Sequence, residues 1–212
     1  MLFHPILGLL LAYFIGAIPT GLLIGKWFRG IDLRDHGSKN IGFTNALRVM
    51  GPKFGIPVLI IDLGKALGAT LAIPAFCPAD LHPAFPALVG ACVIFGNLAN
   101  VFLKFKGGKG VATAAGVFLA LSPVALGIAL AAFLIVLAVS RYVSLGSICA
   151  AIALPASIAL TLGFTATFWV AVVIGGAVIV KHRGNIARLV SGEENKIGGK
   201  KKAAASVEEP AP

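Results

Sequence analysis

The chain has 212 residues, of which 58% are hydrophobic and only 12% charged, with a formal net charge of +10. A mean hydropathy of +0.96 leaves more apolar surface than a water-soluble domain of this length could bury, so the composition is that of an integral membrane protein. In that class membrane topology and anionic headgroups account for the excess of Lys and Arg; lipid is the expected surrounding and nucleic acid is not an expected partner.

A hydrocarbon core roughly 30 Å thick takes about 20 apolar residues per helix. Stretches of that kind lie at about 4–25, 54–76, 85–103, 144–162 and 164–180. The first, within MLFHPILGLLLAYFIGAIPTGLLIGK, lacks a basic leader and a small-residue cleavage site, so it reads as a span and not as a removable signal. The run 111–140 is too long for one span, and Ser122-Pro123 divides it into pieces of about 11 and 17 residues. Two short helices meeting at that turn bring the prediction to seven spans in an all-α membrane bundle; a re-entrant hairpin is the alternative. The connections are too short to fold separately, so residues 1–202 are expected to form one domain. The tail 203–212, AAASVEEPAP, is small, acidic and Pro-containing, and is expected to be disordered.

Lys and Arg set the orientation. On the seven-span reading, 17 of the 18 basic residues fall in connections on one side, which is then the cytoplasm, and the N-terminus lies outside. Lys65 is the exception. It follows Asp62 by three residues in LIIDLGKALG, on the same helix face, where an ion pair would offset the burial of both charges. A functional pair and a brace for the bundle both fit that spacing. Cys77, Cys92 and Cys149 form no C-x-x-C pair and no metal-ligand spacing with the histidines, and read as small core hydrophobes.

The polar residues that charge bias does not require fall in the basic connections. HGSKNIGFTNALR, residues 36–48, gathers Ser38, Asn40, Thr44, Asn45 and Arg48 around glycines. Hydroxyls, amides and a guanidinium all bind phosphate oxygens; helix capping would explain one or two of them, not five. KFKGGKGVAT, residues 104–113, fails the P-loop pattern, because no glycine stands five positions before Gly108 and Gly110 occupies the Ser/Thr position. It still has the makings of a phosphate cradle: Gly107, Gly108 and Gly110 to expose backbone amides, Lys109 as a point charge, and a helix beginning at Val111 whose dipole favours an anion. In RYVSLGS, Ser144 and Ser147 are either ligands or caps at the start of the sixth span. In KHRGN, His182 and Asn185 face one way if the seventh helix continues that far. Such a set, rich in donors and poor in carboxylates, points to an anionic, phosphorylated substrate met at the cytosolic interface. It forces no Ser-His-Asp arrangement and no metal cluster. A transporter of small phosphorylated solutes would share these features but needs polar residues across the midplane, where most spans are nearly bare.

GSKNIGFTNALR at 37–48, FKGGKGVAT at 105–113, VSLGSI at 143–148 and HRGN at 182–185 resemble, in order along nearly the whole chain, the motifs of the bacterial acyl-phosphate:glycerol-3-phosphate acyltransferases. IDLGK in the second span and KIG after the seventh are further similarities. The resemblance implies a seven-helix enzyme of the bacterial cell membrane, with its active site at the cytoplasmic face. It would transfer a fatty acyl group from acyl phosphate to the 1-hydroxyl of glycerol 3-phosphate, with no cofactor, no metal and no obligate protein partner. By the family pattern Ser38, Asn40, Thr44, Asn45 and Arg48 would share the active site with Lys109, His182 and Asn185. Lys39 and Phe43 replace the glycine and alanine usual in the first motif, and GNLAN at 96–100 replaces the usual GH-x-F-P, with Asn97 where the histidine would stand.

Overall fold

The computed structural model describes residues 4–78 and 80–198, and these are helical or irregular with no strand; the tail 203–212 lies outside the described residues. In chain order the helices are α1 (Pro5–Ala17), α2 (Thr20–Arg29), α3 (Phe43–Met50), α4 (Pro52–Ala75), α5 (Phe85–Leu98), α6 (Val111–Leu121), α7 (Pro123–Ser140), α8 (Val143–Leu162), α9 (Ala166–Lys181) and α10 (Arg183–Val190), with a 3-10 turn at Val101–Leu103. α4, α5 extended through that turn, α7 and α8 are each long and apolar enough to cross a membrane. Counting the bent pairs α1/α2 and α9/α10 as one span each brings the number to six. α6, at 11 residues, rises only about 16 Å at 1.5 Å per residue, short of a full hydrocarbon core.

The predicted break at Ser122-Pro123 is present. The Ser122 N–H bonds the Phe118 carbonyl at 2.8 Å, the Ser122 backbone leaves the helical region (φ −158°, ψ 75°), and Pro123 starts α7.

The first span differs from the single helix expected over 4–25. It bends by 42° between α1 and α2, because Pro19 has no N–H to continue the ladder and pushes Ile18 out of helical geometry (ψ 113°). Lys65 closes the gap. Its Nζ donates to the Ile18 carbonyl at 2.7 Å and lies 2.7 Å from Asp62 Oδ1, while Thr20 Oγ1 donates to the same carboxylate at 2.8 Å. Both charged side chains are 8% exposed, so the pair braces a broken helix deep in the bundle.

α1 and α5 approach closely because each presents a glycine to the other. A methyl group at Gly16 would collide with the Val93 carbonyl, and one at Gly96 with the Tyr13 carbonyl. Around this contact Val89, Val93, Ile94, Val117, Phe118, Ile158 and Ile174 form the main core. Ile135, Val139 and Leu160 are turned outward, as expected of surface in contact with lipid tails. α3 lies between two glycines, Gly42 and Gly51, and buries Ala46 and Met50 against Ile24, Leu33 and Val58. That seating leaves Arg48 at the wall of a cavity.

Candidate active site

Asn45, 2% exposed, organises the first motif. Its Nδ2 donates to the carbonyls of Leu33 (3.2 Å), His36 (3.0 Å) and Asn40 (2.8 Å), and its Oδ1 accepts from the Ser38 N–H at 2.8 Å. The amide is fully engaged in holding loop 33–40, so Asn45 sets the position of Ser38 and has no donor left over. Asn40 Oδ1 accepts from the Gly42 N–H at 2.8 Å, an Asx turn that leads into α3. The half-buried Thr44 sits in the first turn of α3, and the Arg48 guanidinium on its last turn donates no hydrogen bond to any described residue.

The glycine loop closes against the end of α5. The Gly108 N–H donates to the Asn97 carbonyl at 3.0 Å, and any side chain at Gly107 would strike that same carbonyl. So the expectation that all three glycines present open amides is not met at Gly108, whose N–H is already taken, and Gly107 is the glycine that close packing requires. Gly110 adopts φ +77° as the residue before α6, a conformation that suits glycine. The amides of residues 111–113, which by geometry have no partner within the helix, form the open end of α6, and those residues line the cavity. Lys109 extends from this loop to donate to Asn185 Oδ1.

α8 begins at Val143, so Ser144 and Ser147 fall in its first two turns, both buried. Ser147 Oγ donates back to the Val143 carbonyl at 2.9 Å. At the other end of the chain the helix does not run straight through HRGN: α9 and α10 meet at His182 with a 55° bend. His182 and Asn185 still face one space, because the Asn185 N–H folds back onto the His182 carbonyl at 2.8 Å. His182 Nδ1 lies 2.8 Å from the Val178 carbonyl. A carbonyl only accepts, so Nδ1 carries the proton and Nε2 is the free nitrogen of the neutral ring.

These segments enclose a cavity of about 530 Å³ lined by Ser38, Asn40, Thr44, Asn45, Arg48, Gly108, Lys109, Gly110, Ser144, Ser147, His182 and Asn185. Every residue expected from the four polar motifs to bind substrate is there except Gly107, which lines an adjoining outer cleft of about 540 Å³ with Lys39, Lys106, Lys181 and Arg183. Among the described residues, no Asp or Glu lines that cleft. Away from the polar end the cavity is walled by Leu126, Leu130, Phe133 and Leu154, so one space joins cationic and hydrogen-bond-donating groups to an apolar slot. Asp62 and Thr20 also line it, which places the α1/α2 brace at its margin.

Electrostatics reinforce the arrangement. Burial lowers the Lys109 pKa to about 8; Glu194 opposes the shift, while Arg188 and Arg48 add to it. Glu194 is the residue that the sequence reading missed. Burial alone would raise its pKa, but hydrogen bonds from Asn185, Ser144 and Arg188, together with the Arg188 charge, hold it below the usual carboxylate value. Its one sequence signal is that it belongs to the acidic pair Glu193-Glu194 in a segment whose other charges, from Arg183 to Lys196, are basic.

The family pattern described as glycerol-3-phosphate acyltransferase matches residues 6–192. The chain belongs to the glycerol-3-phosphate acyltransferase family. The glycerol-3-phosphate acyltransferase of Fusobacterium nucleatum subsp. nucleatum is 46% identical over 190 residues, covering 89% of this chain and 95% of the relative. That of Trichlorobacter lovleyi is 48% identical over 187 residues, covering 87% and 93%. Crystal structures of PlsY (YgiH), an integral membrane glycerol 3-phosphate acyltransferase, share the fold. The glycerol 3-phosphate form matches with a TM-score of 0.83 at 35% identity, and the lysophosphatidic acid form with 0.81 at 34%. Each match covers 91% of this chain and 94% of the PlsY chain.

The departures from the acyltransferase motifs now have structural settings. Lys39 stands at φ +56°, so the glycine usual there suits the backbone and lysine strains it. Phe43 packs its ring against the Ile24 and Leu33 cluster, anchoring the start of α3. Asn97 serves the glycine loop through its backbone carbonyl, a role its side chain does not decide, while its amide lines the cavity.

Proposed function

We propose that this chain transfers a fatty acyl group from acyl phosphate to the 1-hydroxyl of glycerol 3-phosphate, giving 1-acyl-glycerol 3-phosphate and inorganic phosphate. The observation that carries this reading is the cavity itself. Arg48, Lys109, His182 and Asn185 converge at its polar end, and an apolar slot suited to an acyl chain leads away from them.

In the reaction the glycerol oxygen bonds to the acyl carbon, the bond from that carbon to the phosphate oxygen breaks, and the hydroxyl proton leaves with the departing phosphate. A mixed anhydride already carries a good leaving group, so the protein's work is to position two anions and stabilise the charge that develops between them. Lys109 and the open end of α6 bind one phosphate; Arg48 and Ser38 bind the other. His182 and Asn185 orient the glycerol backbone or the departing group, with Asn40, Thr44, Ser144 and Ser147 completing the wall. The donor's own phosphate serves as the base, which fits a site so rich in donors.

We place the site at the cytoplasmic face of a bacterial inner membrane. The bent pairs α1/α2 and α9/α10, with α4, α5, the short α6, α7 and α8, make seven crossings of a single domain over residues 1–202. Gathering 17 of the 18 basic residues on one side supports this orientation.

The direct test combines purified protein, palmitoyl phosphate and glycerol 3-phosphate, with lysophosphatidate as the readout. No product from folded protein, or full activity in Lys109→Ala, would defeat the assignment. Near-normal turnover in His182→Ala would exclude His182 as an essential base; complete loss of turnover, with substrate affinity retained, would make His182 the base instead.

A further inference from the structure

The Glu194 carboxylate lines the cavity, yet none of the chemistry above uses it. It accepts hydrogen bonds from Ser144 Oγ (2.9 Å) on α8 and from Asn185 Nδ2 (2.7 Å) and Arg188 Nε (2.7 Å) on α10. Its side chain is only 6% exposed. The segment that carries it is fixed just beyond. The Ile197 N–H donates to the Arg141 carbonyl at 2.9 Å, the Ile197 carbonyl accepts from Arg141 Nε at 3.1 Å, and the Lys196 ammonium lies 5.2 Å from the centre of the Tyr142 ring. Residues 193–197 thus form a strap from the end of α10 to the start of α8, with the carboxylate held between the two helices.

The bond to Asn185 has a directional consequence. A carboxylate only accepts hydrogen bonds and an ammonium only donates them. With Glu194 on Nδ2 and Lys109 on Oδ1, the carboxamide has a single permitted orientation. Turned over, it would set its NH₂ against the ammonium and its oxygen against the carboxylate. Ser144 and Asn185 are 5% and 7% exposed, so little water is at hand to relieve such a mismatch.

We propose that Glu194 is a positioning residue: it locks the Asn185 carboxamide so that its oxygen holds the Lys109 ammonium where the reacting phosphate binds. The proposal rests on the cavity being the acyl-transfer site. The charges that face Lys109 are Glu194, Arg188 and Arg48, with the His182 ring also close enough to interact with it. Removing Glu194 would leave Lys109 among cations alone.

The test is a double-mutant cycle on kcat/KM with the wild type, Glu194→Ala, Asn185→Ala and the double variant. Glu194→Ala is expected to lower kcat/KM at least about tenfold, equivalent to ~1.4 kcal/mol. The double variant is expected to be no worse than Asn185→Ala, since without the amide there is nothing left to orient. Additive losses, or wild-type activity in Glu194→Ala, would overturn the proposal. A rise in kcat/KM would overturn it too, by showing that the carboxylate competes with the substrate's phosphate.

Glu194→Gln guards against misfolding, because it keeps the size but presents an NH₂ towards Asn185. It should unfold at the wild-type temperature and still lose activity; wild-type kcat/KM in this variant would refute the role. The alkaline limb of the kcat/KM profile supplies a readout that a merely structural role would not move, and in Glu194→Ala it should shift to lower pH. If the wild type itself forms no lysophosphatidate, it is the acyl-transfer reading that fails. The same cycle run on glycerol 3-phosphate affinity by calorimetry then decides the role of Glu194.

Discussion

The Lys109 ammonium donates to the Asn185 carboxamide oxygen, joining the glycine loop to α10 across 76 residues of chain. Burial holds the Lys109 pKa at about 8, so the ammonium is present below that pH and is lost above it. Since kcat/KM reports on the free enzyme, its alkaline limb should fall near pH 8. Lys109→Arg, even at a reduced rate, should carry that limb upward, because a guanidinium keeps its charge. A limb that does not move in Lys109→Arg would assign the titration to another group.

Asn45→Ala removes the partner of three carbonyls and of the Ser38 N–H. Buried groups left unpaired cost about 1–3 kcal/mol, so thermal unfolding in detergent should occur several degrees lower. Turnover should fall as well, because Ser38 loses its support. An unchanged unfolding temperature would mean that loop 33–40 holds its shape without the amide.

Lys39→Gly relieves a left-handed backbone conformation (φ +56°). The strain of such a residue is about 1–2 kcal/mol, and the added freedom of glycine in the unfolded chain returns about 0.5–1 kcal/mol of it. The variant should therefore be slightly more stable, by roughly 0.5–1 kcal/mol on the same figures. It also removes a cation from the outer cleft, so kcat/KM for glycerol 3-phosphate should fall at low salt and converge with the wild type as ionic strength rises. A lower unfolding temperature, or a salt-independent difference, would contradict these two effects in turn.

Lys65→Met strips Asp62 of its buried cation and takes from the Ile18 carbonyl its side-chain donor, leaving that carbonyl only the Thr20 N–H. Losing one member of such a pair costs about 3–5 kcal/mol. The double variant Asp62→Asn/Lys65→Met should recover part of that loss, because no isolated charge remains. If the single variant unfolds no earlier than the double, the pair is not the brace described above.

What could be read from the sequence was what is set locally. Ser122-Pro123 divides its run because proline acts on its immediate neighbours, and the hydroxyl, amide and guanidinium clusters could be recognised by chemistry alone. The bend at Pro19 was hidden by an unbroken apolar stretch over 4–25, and the group that stabilises it, Lys65, sits 47 residues away from Ile18. Glu194 was missed for a similar reason. It follows a left-handed turn at Gly192 (φ +72°), so no helical spacing relates it to Arg188 or Asn185, and Ser144 lies on a different helix. The open amide expected at Gly108 failed because the Asn97 carbonyl already occupies it. That contact depends on how the glycine loop folds back onto α5.

The bend at His182 also bears on the order of biosynthesis. Arg48 and the glycine loop emerge from the ribosome early, but His182, Asn185 and Glu194 follow only after α9 has been made. A nascent chain halted before that bend would hold Lys109 without Asn185 or Glu194, so the polar end of the cavity would be complete only after α10 and the strap beyond it have been made.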